Sequence, residues 1–166
     1  MKPQPPFHKY IRLRDYDYTS PGAYFVTIVV LGRTCCLADI RGRQAHLTKL
    51  GEIVDRGWKW LAEQYCYVTL DQFIVMPNHV HGIICITSDD VLDRPVNDPA
   101  QQRLSLGRLV SAFKSVTTRD INRLRSTPGH MFWQDDFYEH IIRDEHDMGM
   151  TRQYIANNPR QWETDK

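Results

Sequence analysis

Two short stretches of the chain carry residues able to do chemistry. The first is Val75-Met76-Pro77-Asn78-His79-Val80-His81-Gly82. His79-Val80-His81 reads as part of a strand, where a period of two sends both imidazoles to one face and Val80 to the other. Two neutral imidazoles side by side are half of a metal site. Gly82 removes bulk next to the pair, which reads as room for a backbone or ligand to come close. The same pattern also describes two ordinary surface histidines, so the pair alone decides nothing. The second stretch is Tyr154-Ile155-Ala156-Asn157-Asn158-Pro159. On a helix Tyr154 and Asn158 stack one turn apart, which puts a phenol beside a carboxamide oxygen able to bind a metal. Packing for the tyrosine and a C-terminal cap for the asparagine are the plain alternative.

Taken together the two stretches say more. A divalent ion held by His79, His81 and Asn158 leaves positions for phosphate oxygens. Tyr154, on the same helix face as Asn158, then stands where it can attack the phosphorus. A phenol nucleophile yields a phosphotyrosine, which keeps the diester's energy and lets a strand be rejoined elsewhere. Tyr138 and His140 alternate on a strand and form a rival nucleophile and ligand, but no spacing pairs them with His79 and His81. His140 reads as a buttress or as packing. His8, His46, His130 and His146 stand in polar surroundings and read as exposed, while Tyr16, Tyr18 and Tyr24 are placed to stack on bases.

The elements that must position these groups are legible in outline. Residues 1–22 form a Pro-rich, locally basic arm that includes Arg12 and Arg14 and ends at the Pro21-Gly22 turn. Ala23 to Leu31 is β-branched and aromatic, a buried strand. Leu47 to Tyr65 repeats apolar residues at helical spacing behind Thr48, a cap. Cys66 to Phe73 and His79 to Ile86 are strands, and residues 87–102 a flexible acidic loop. Leu104 to Leu124 is an amphipathic helix with Leu106, Val110, Phe113, Thr117 and Leu124 on one side. Its other side carries Arg108, Ser111, Ser115, Arg119 and Arg123, and the stretch also holds Lys114. Phe137 to Ile142 is a strand, and residues 144–158 the tyrosine helix, capped by Asp144 and ended by Pro159. The order β-α-β-β-α-β plus a helix predicts an α+β, ferredoxin-like (split β-α-β) fold. In it an antiparallel sheet carries both long helices on one face, and a C-terminal helix bears the nucleophile.

Composition narrows the class. The chain has 166 residues with 21 Lys+Arg against 20 Asp+Glu, so bulk charge announces no nucleic acid, and the length suits a single domain over residues 1–166. No apolar run is long enough to cross a bilayer, the N-terminal residues lack the apolar core of a leader, and four scattered cysteines suit reduced thiols. A cytoplasmic protein is expected. The basic residues Arg12, Arg14, Arg108, Lys114, Arg119 and Arg123 read as phosphate contacts; a solvated helix face is the alternative for those on the helix.

The chain resembles the HUH single-tyrosine transposases of small insertion sequences, and within them the REP-associated tyrosine transposases. The likeness runs through Arg12-Leu13-Arg14-Asp15-Tyr16-Asp17-Tyr18, Gly22-Ala23-Tyr24-Phe25-Val26-Thr27 and Met76-Pro77-Asn78-His79-Val80-His81-Gly82. It continues through Trp133-Gln134, Tyr138-Glu139-His140-Ile141-Ile142-Arg143 and Tyr154-Ile155-Ala156-Asn157-Asn158-Pro159. The resemblance implies a Mg²⁺- or Mn²⁺-dependent endonuclease and strand transferase acting on single-stranded DNA hairpins. It implies a 5′-phosphotyrosine intermediate in DNA transposition or in processing palindromic repeats. Tyr154 is then the nucleophile and His79, His81 and Asn158 the metal ligands. Such enzymes occur as dimers, some with the tyrosine helix completing the partner's site, and as monomers, and a homodimer is the expectation here. Related insertion-sequence enzymes carry Gln where this chain has Asn158, and imidazoles favour softer ions than Mg²⁺, so Mn²⁺ or Zn²⁺ also suits the site. Two other functions remain on the residues alone: a non-catalytic single-stranded nucleic-acid binding module, and a metal hydrolase of small phosphoesters.

Overall fold

The computed structural model describes residue 13, residues 15–88 and residues 103–164, the last two of these by backbone only. Arg12, Arg14, nearly all of the arm before Asp15 and most of the 87–102 loop lie outside the described residues. The elements in chain order are β1 (Gly22–Val29), β2 (Ala38–Arg41), β3 (Gln44–Leu47), α1 (Lys49–Gln64), β4 (Val68–Val75) and β5 (His79–Ile86). They are followed by α2 (Leu106–Arg125), β6 (Tyr138–Ile142) and α3 (Glu145–Thr164), and a short 3₁₀ turn, Leu31–Arg33, follows β1.

Four strands form one antiparallel sheet in the order β4-β5-β1-β6. With β2 and β3 set aside, this is the ferredoxin-like arrangement expected from the sequence. The pleat sorts the side chains. Tyr24, Val26, Ile28, Val80, Ile84 and Ile86 point to one face, where Val54, Trp58 and Leu61 of α1 and Leu106, Leu109, Val110, Phe113 and Ile121 of α2 complete the larger core. Phe25 and Ile83 point to the other face, where α3 lays Ile155 on them. Both long helices thus share one face and the tyrosine helix takes the other.

The caps act as the residue types dictate. Thr48 Oγ1 accepts from the Gly51 amide at 3.2 Å, and Asp144 Oδ1 accepts from the Asp147 amide at 2.8 Å. Trp133 is core: its indole N–H donates to Thr117 Oγ1 at 2.9 Å, deep under α2.

Several expectations are corrected. Ala38 to Leu47, unassigned by pattern, is a β-hairpin turning at Gly42-Arg43, both at positive φ (56° and 63°), the geometry that matches strand twist. Pro159 does not end α3, which runs on to Thr164 with Pro159 buried inside it. Leu124 is 51% exposed and Ile121 is buried in its stead, because Leu124 falls in the last turn before the Ser126 cap. Tyr24 is fully buried, its hydroxyl donating to the Ser20 carbonyl at 2.6 Å, with the rings of Tyr16 and Tyr18 packed edge-on and tilted around it. These three tyrosines tie the end of the arm to the core. Among the described residues no helix is long and apolar enough to cross a membrane, and all four cysteines are free thiols.

Candidate active site

His79 and His81 open β5 on the α3 side of the sheet. Their register partners on β1 are Val29 and Thr27, and Ile74 of β4 lies opposite His81. The two rings stand edge to face, centroids 4.5 Å apart, with Nε2 facing Nε2 at 3.0 Å. Each outer nitrogen has a partner: Asn78 Oδ1 at 2.7 Å from His79 Nδ1, and Thr27 Oγ1 at 2.7 Å from His81 Nδ1. The Phe25 ring stacks near His81 at 5.4 Å.

α3 brings the rest. The Tyr154 ring lies 5.3 Å from the His81 ring and edge-on to Phe25 at 5.9 Å. One turn on, the buried Asn158 carboxamide is hydrogen-bonded to both imidazoles and to the Tyr154 side chain, and its NH₂ donates to the Tyr154 carbonyl at 3.2 Å. One further turn on, the Trp162 indole leans over His79 at 6.1 Å. The four residues singled out by spacing therefore meet within a single chain.

Burial governs the charges. It pushes His79 down to about 4, helped by the nearby Arg33 guanidinium and opposed by the Asn158 hydrogen bond. His81, fully enclosed, is held well below the usual imidazole range for the same reason, with His79 adding to the effect. Both rings are neutral near pH 7, as metal ligands must be. Burial also raises the Tyr154 phenol, with the Asn158 hydrogen bond pulling the other way.

The donor set bears on which ion fits. Among the described residues no cluster of three or more His, Cys, Asp or Glu occurs, so the group is two imidazoles and a carboxamide. Two nitrogens bound about 2.1 Å from one ion at right angles sit about 3.0 Å apart, the spacing of the two Nε2 atoms. A set of two imidazole nitrogens and one neutral amide oxygen suits Mn²⁺ or Zn²⁺ better than Mg²⁺.

Two supports hold α3 over the sheet. Arg152 clamps Asp71 of β4 with two bonds of 2.8 and 2.7 Å, and His140 of β6 meets the Asp147 carboxylate at 2.9 Å. His140 is thus a buttress of the helix. Tyr138 is 42% exposed on the same face, next to Thr27 in the register.

Gly82 belongs to the opposite face. A Cβ there would come within 2.3 Å of the Trp58 indole, which stacks on Phe73 at 4.5 Å. The glycine makes room for a core tryptophan, not for a ligand beside the histidines. The cations of α2 also belong to that side. Arg108, Arg119 and Arg123 are exposed on it, Arg119 pairing with Asp120 at 3.2 Å. Lys114 donates to the carbonyls of Gln134, Asp135 and Asp136 at 2.7, 2.9 and 3.2 Å, which occupies all three of its N–H bonds. His46, His130 and His146 are exposed.

Thr27, Trp162 and the Arg152–Asp71 clamp were not anticipated. Thr27 becomes visible only through the β1–β5 register. Trp162 carries a signal, since it follows Asn158 by the same interval that separates Asn158 from Tyr154, but a helix ending at Pro159 leaves it out.

No family model matches the chain. It is 35% identical over 94% of its length to an uncharacterized protein of Haemophilus influenzae, covering 90% of that protein. It is 26% identical over 86% of its length to a proposed REP-associated tyrosine transposase of the same organism, covering 73% of it. A solved structure of a REP-associated tyrosine transposase bound to a REP hairpin shares the fold, with a TM-score of 0.60 at 19% identity over 92% of this chain and 74% of that one.

Proposed function

We propose that the chain is a REP-associated tyrosine transposase, like the relative to which it is 26% identical, and that it cuts and rejoins single-stranded DNA at hairpin-forming repeats, with Tyr154 as nucleophile. The observation that carries this reading is the meeting of Tyr154, Asn158, His79 and His81 around one point, from two elements far apart in the chain. A phenol used only for packing needs neither a carboxamide nor a facing pair of imidazole nitrogens beside it.

His79, His81 and Asn158 would hold Mn²⁺ or Mg²⁺, which when bound draws charge from a phosphate oxygen and makes the phosphorus easier to attack. The Tyr154 oxygen forms its bond to phosphorus as the bond from phosphorus to the 3′ oxygen breaks. The electron pair leaves with that oxygen, which ends as a 3′-hydroxyl after taking up a proton, while the phenol gives one up. The product is a 5′-phosphotyrosine, and the reverse step with another 3′-hydroxyl rejoins the strand. Asn158 orients the phenol, and the raised Tyr154 keeps its proton until the attack. Arg108, Arg119 and Arg123 are proposed to meet phosphates of the hairpin stem, as are Arg12 and Arg14 of the arm. A groove of about 820 Å³ beside α2, lined by Ser115, Arg119, Asn122, Arg123 and His130, supports this role for the helix.

The test is adduct formation. Incubated with Mn²⁺ and a panel of labelled hairpins, the protein is expected to give a denaturant-stable protein–DNA adduct. Tyr154→Phe is expected to give none while binding hairpins within about threefold of wild type. No adduct from wild type, with hairpin binding kept, would instead favour a binding module. Turnover of a model diester by Tyr154→Phe would favour a hydrolase that activates water.

A further inference from the structure

Four side chains and one carbonyl form an unbroken line through the site. Thr27 Oγ1 lies 2.7 Å from His81 Nδ1, and His81 Nε2 lies 3.0 Å from His79 Nε2. His79 Nδ1 lies 2.7 Å from Asn78 Oδ1, and Asn78 Nδ2 donates to the Arg33 carbonyl at 3.3 Å. A backbone carbonyl can only accept, so the Arg33 end sets the direction of every bond in the line. The Asn78 amide must turn its NH₂ to Arg33, which leaves Oδ1 for His79. That oxygen accepts, so the His79 proton sits on Nδ1 and its Nε2 is bare. The bond between the rings then takes its hydrogen from His81, and Thr27 donates its hydroxyl to the remaining bare nitrogen, His81 Nδ1.

We infer that Asn78 and Thr27 are positioning residues that set where the two imidazole protons sit, Asn78 holding His79 in one tautomer and Thr27 letting His81 take either. This rests on the metal-site reading above. The two histidines are therefore unequal. His79 presents Nε2 to an ion with no proton to move. His81 does so only after its proton passes from Nε2 to Nδ1 while the Thr27 hydroxyl rotates from donor to acceptor. The ring keeps one proton throughout, so no charge is created in a buried place. Without Asn78 the line can run the other way, with His79 donating from Nε2 and blocking the nitrogen that an ion needs.

Nitrogen-15 NMR of the imidazoles in the metal-free, histidine-labelled protein reads these positions directly. Wild type is expected to show the proton on Nδ1 of His79 and on Nε2 of His81. Zinc(II) alone should bring both protons to Nδ1. Asn78→Leu is expected to move the His79 proton to Nε2 and weaken zinc binding about 10- to 100-fold. Asn78→Asp, which keeps the acceptor, should hold His79 at Nδ1. Thr27→Val should weaken zinc binding, and Thr27→Ser should restore it. A side chain that only packs would leave the tautomers where they are. A His79 proton found on Nε2 in wild type overturns the inference, as does Asn78→Leu with its tautomers unchanged. The wild-type spectrum decides even if a variant does not fold. Opposite tautomers that zinc leaves untouched would uphold the proton arrangement and count against the metal-dependent nuclease.

Discussion

At the scale of single residues, Gly82 and His79 of β5 answer to opposite faces of one sheet. Gly82 serves Trp58, so Gly82→Ala drives a methyl into the indole at 2.3 Å. Overpacking of this kind costs about 1–3 kcal/mol, which a thermal melt should show as a fall of several degrees. Zinc binding by the folded variant should stay within twofold of wild type. A weaker zinc site with an unchanged melt would return Gly82 to the metal side. His79 makes a different demand. Its folded value, about 4, lies below the unfolded imidazole value, so between about pH 6.5 and 4 the unfolded chain binds more protons than the folded one. That contribution to stability is complete above pH 6.5 and is lost as the pH falls through 4, at up to about 1.4 kcal/mol per pH unit. Denaturant titrations with a chelator present should show this slope, and His79→Gln should make it shallower. An unchanged slope would mean the ring is already solvated in the native state.

At the scale of elements, α3 is the piece on which the site depends, and it is held by few contacts. The exposed Arg152–Asp71 pair contributes little to stability, but it sets where the tyrosine helix lies. Arg152→Ala is expected to leave the melting temperature within about 2 °C, to speed hydrogen exchange in α3, and to cut adduct formation several-fold. Equal adduct yield would show that the helix needs no clamp. Much of this element was legible in advance. Tyr154 and Asn158 declared themselves by spacing, the Asp144 cap by residue type, β1 by its β-branched and aromatic run, β5 by the alternation of His79, Val80 and His81, and α1 and α2 by their apolar faces. What could not be read is what depends on distant parts of the chain. A proline ends a helix unless tertiary packing outweighs the lost hydrogen bond, and the far half of α3 lies against the β2–β3 hairpin, with Pro159 buried. That hairpin hid because its strands are four residues long and mix polar with apolar side chains. Thr27 hid because only strand register brings it to His81, and Lys114 because a cation on an exposed-looking ridge shows nothing of the carbonyls it holds.

At the scale of the whole molecule, each chain carries a complete set of the four site residues, since α3 folds back on its own sheet. A homodimer would then pair finished sites. Mixing Tyr154→Phe with His81→Ala, each inactive alone, is expected to yield no adduct. Recovered activity would mean that the tyrosine helix crosses to a second chain. The α2 cations and the imidazole pair stand on opposite sides of one sheet, with the core between α1, α2 and the strands on one side and the α3 contact on the other. On the proposed function two trades are thus housed back to back, sharing a wall and little else. Mutations that redraw the outer surface of α2 would then leave the workshop behind that wall untouched, so a lineage of such proteins could change the address it answers to without relearning its craft.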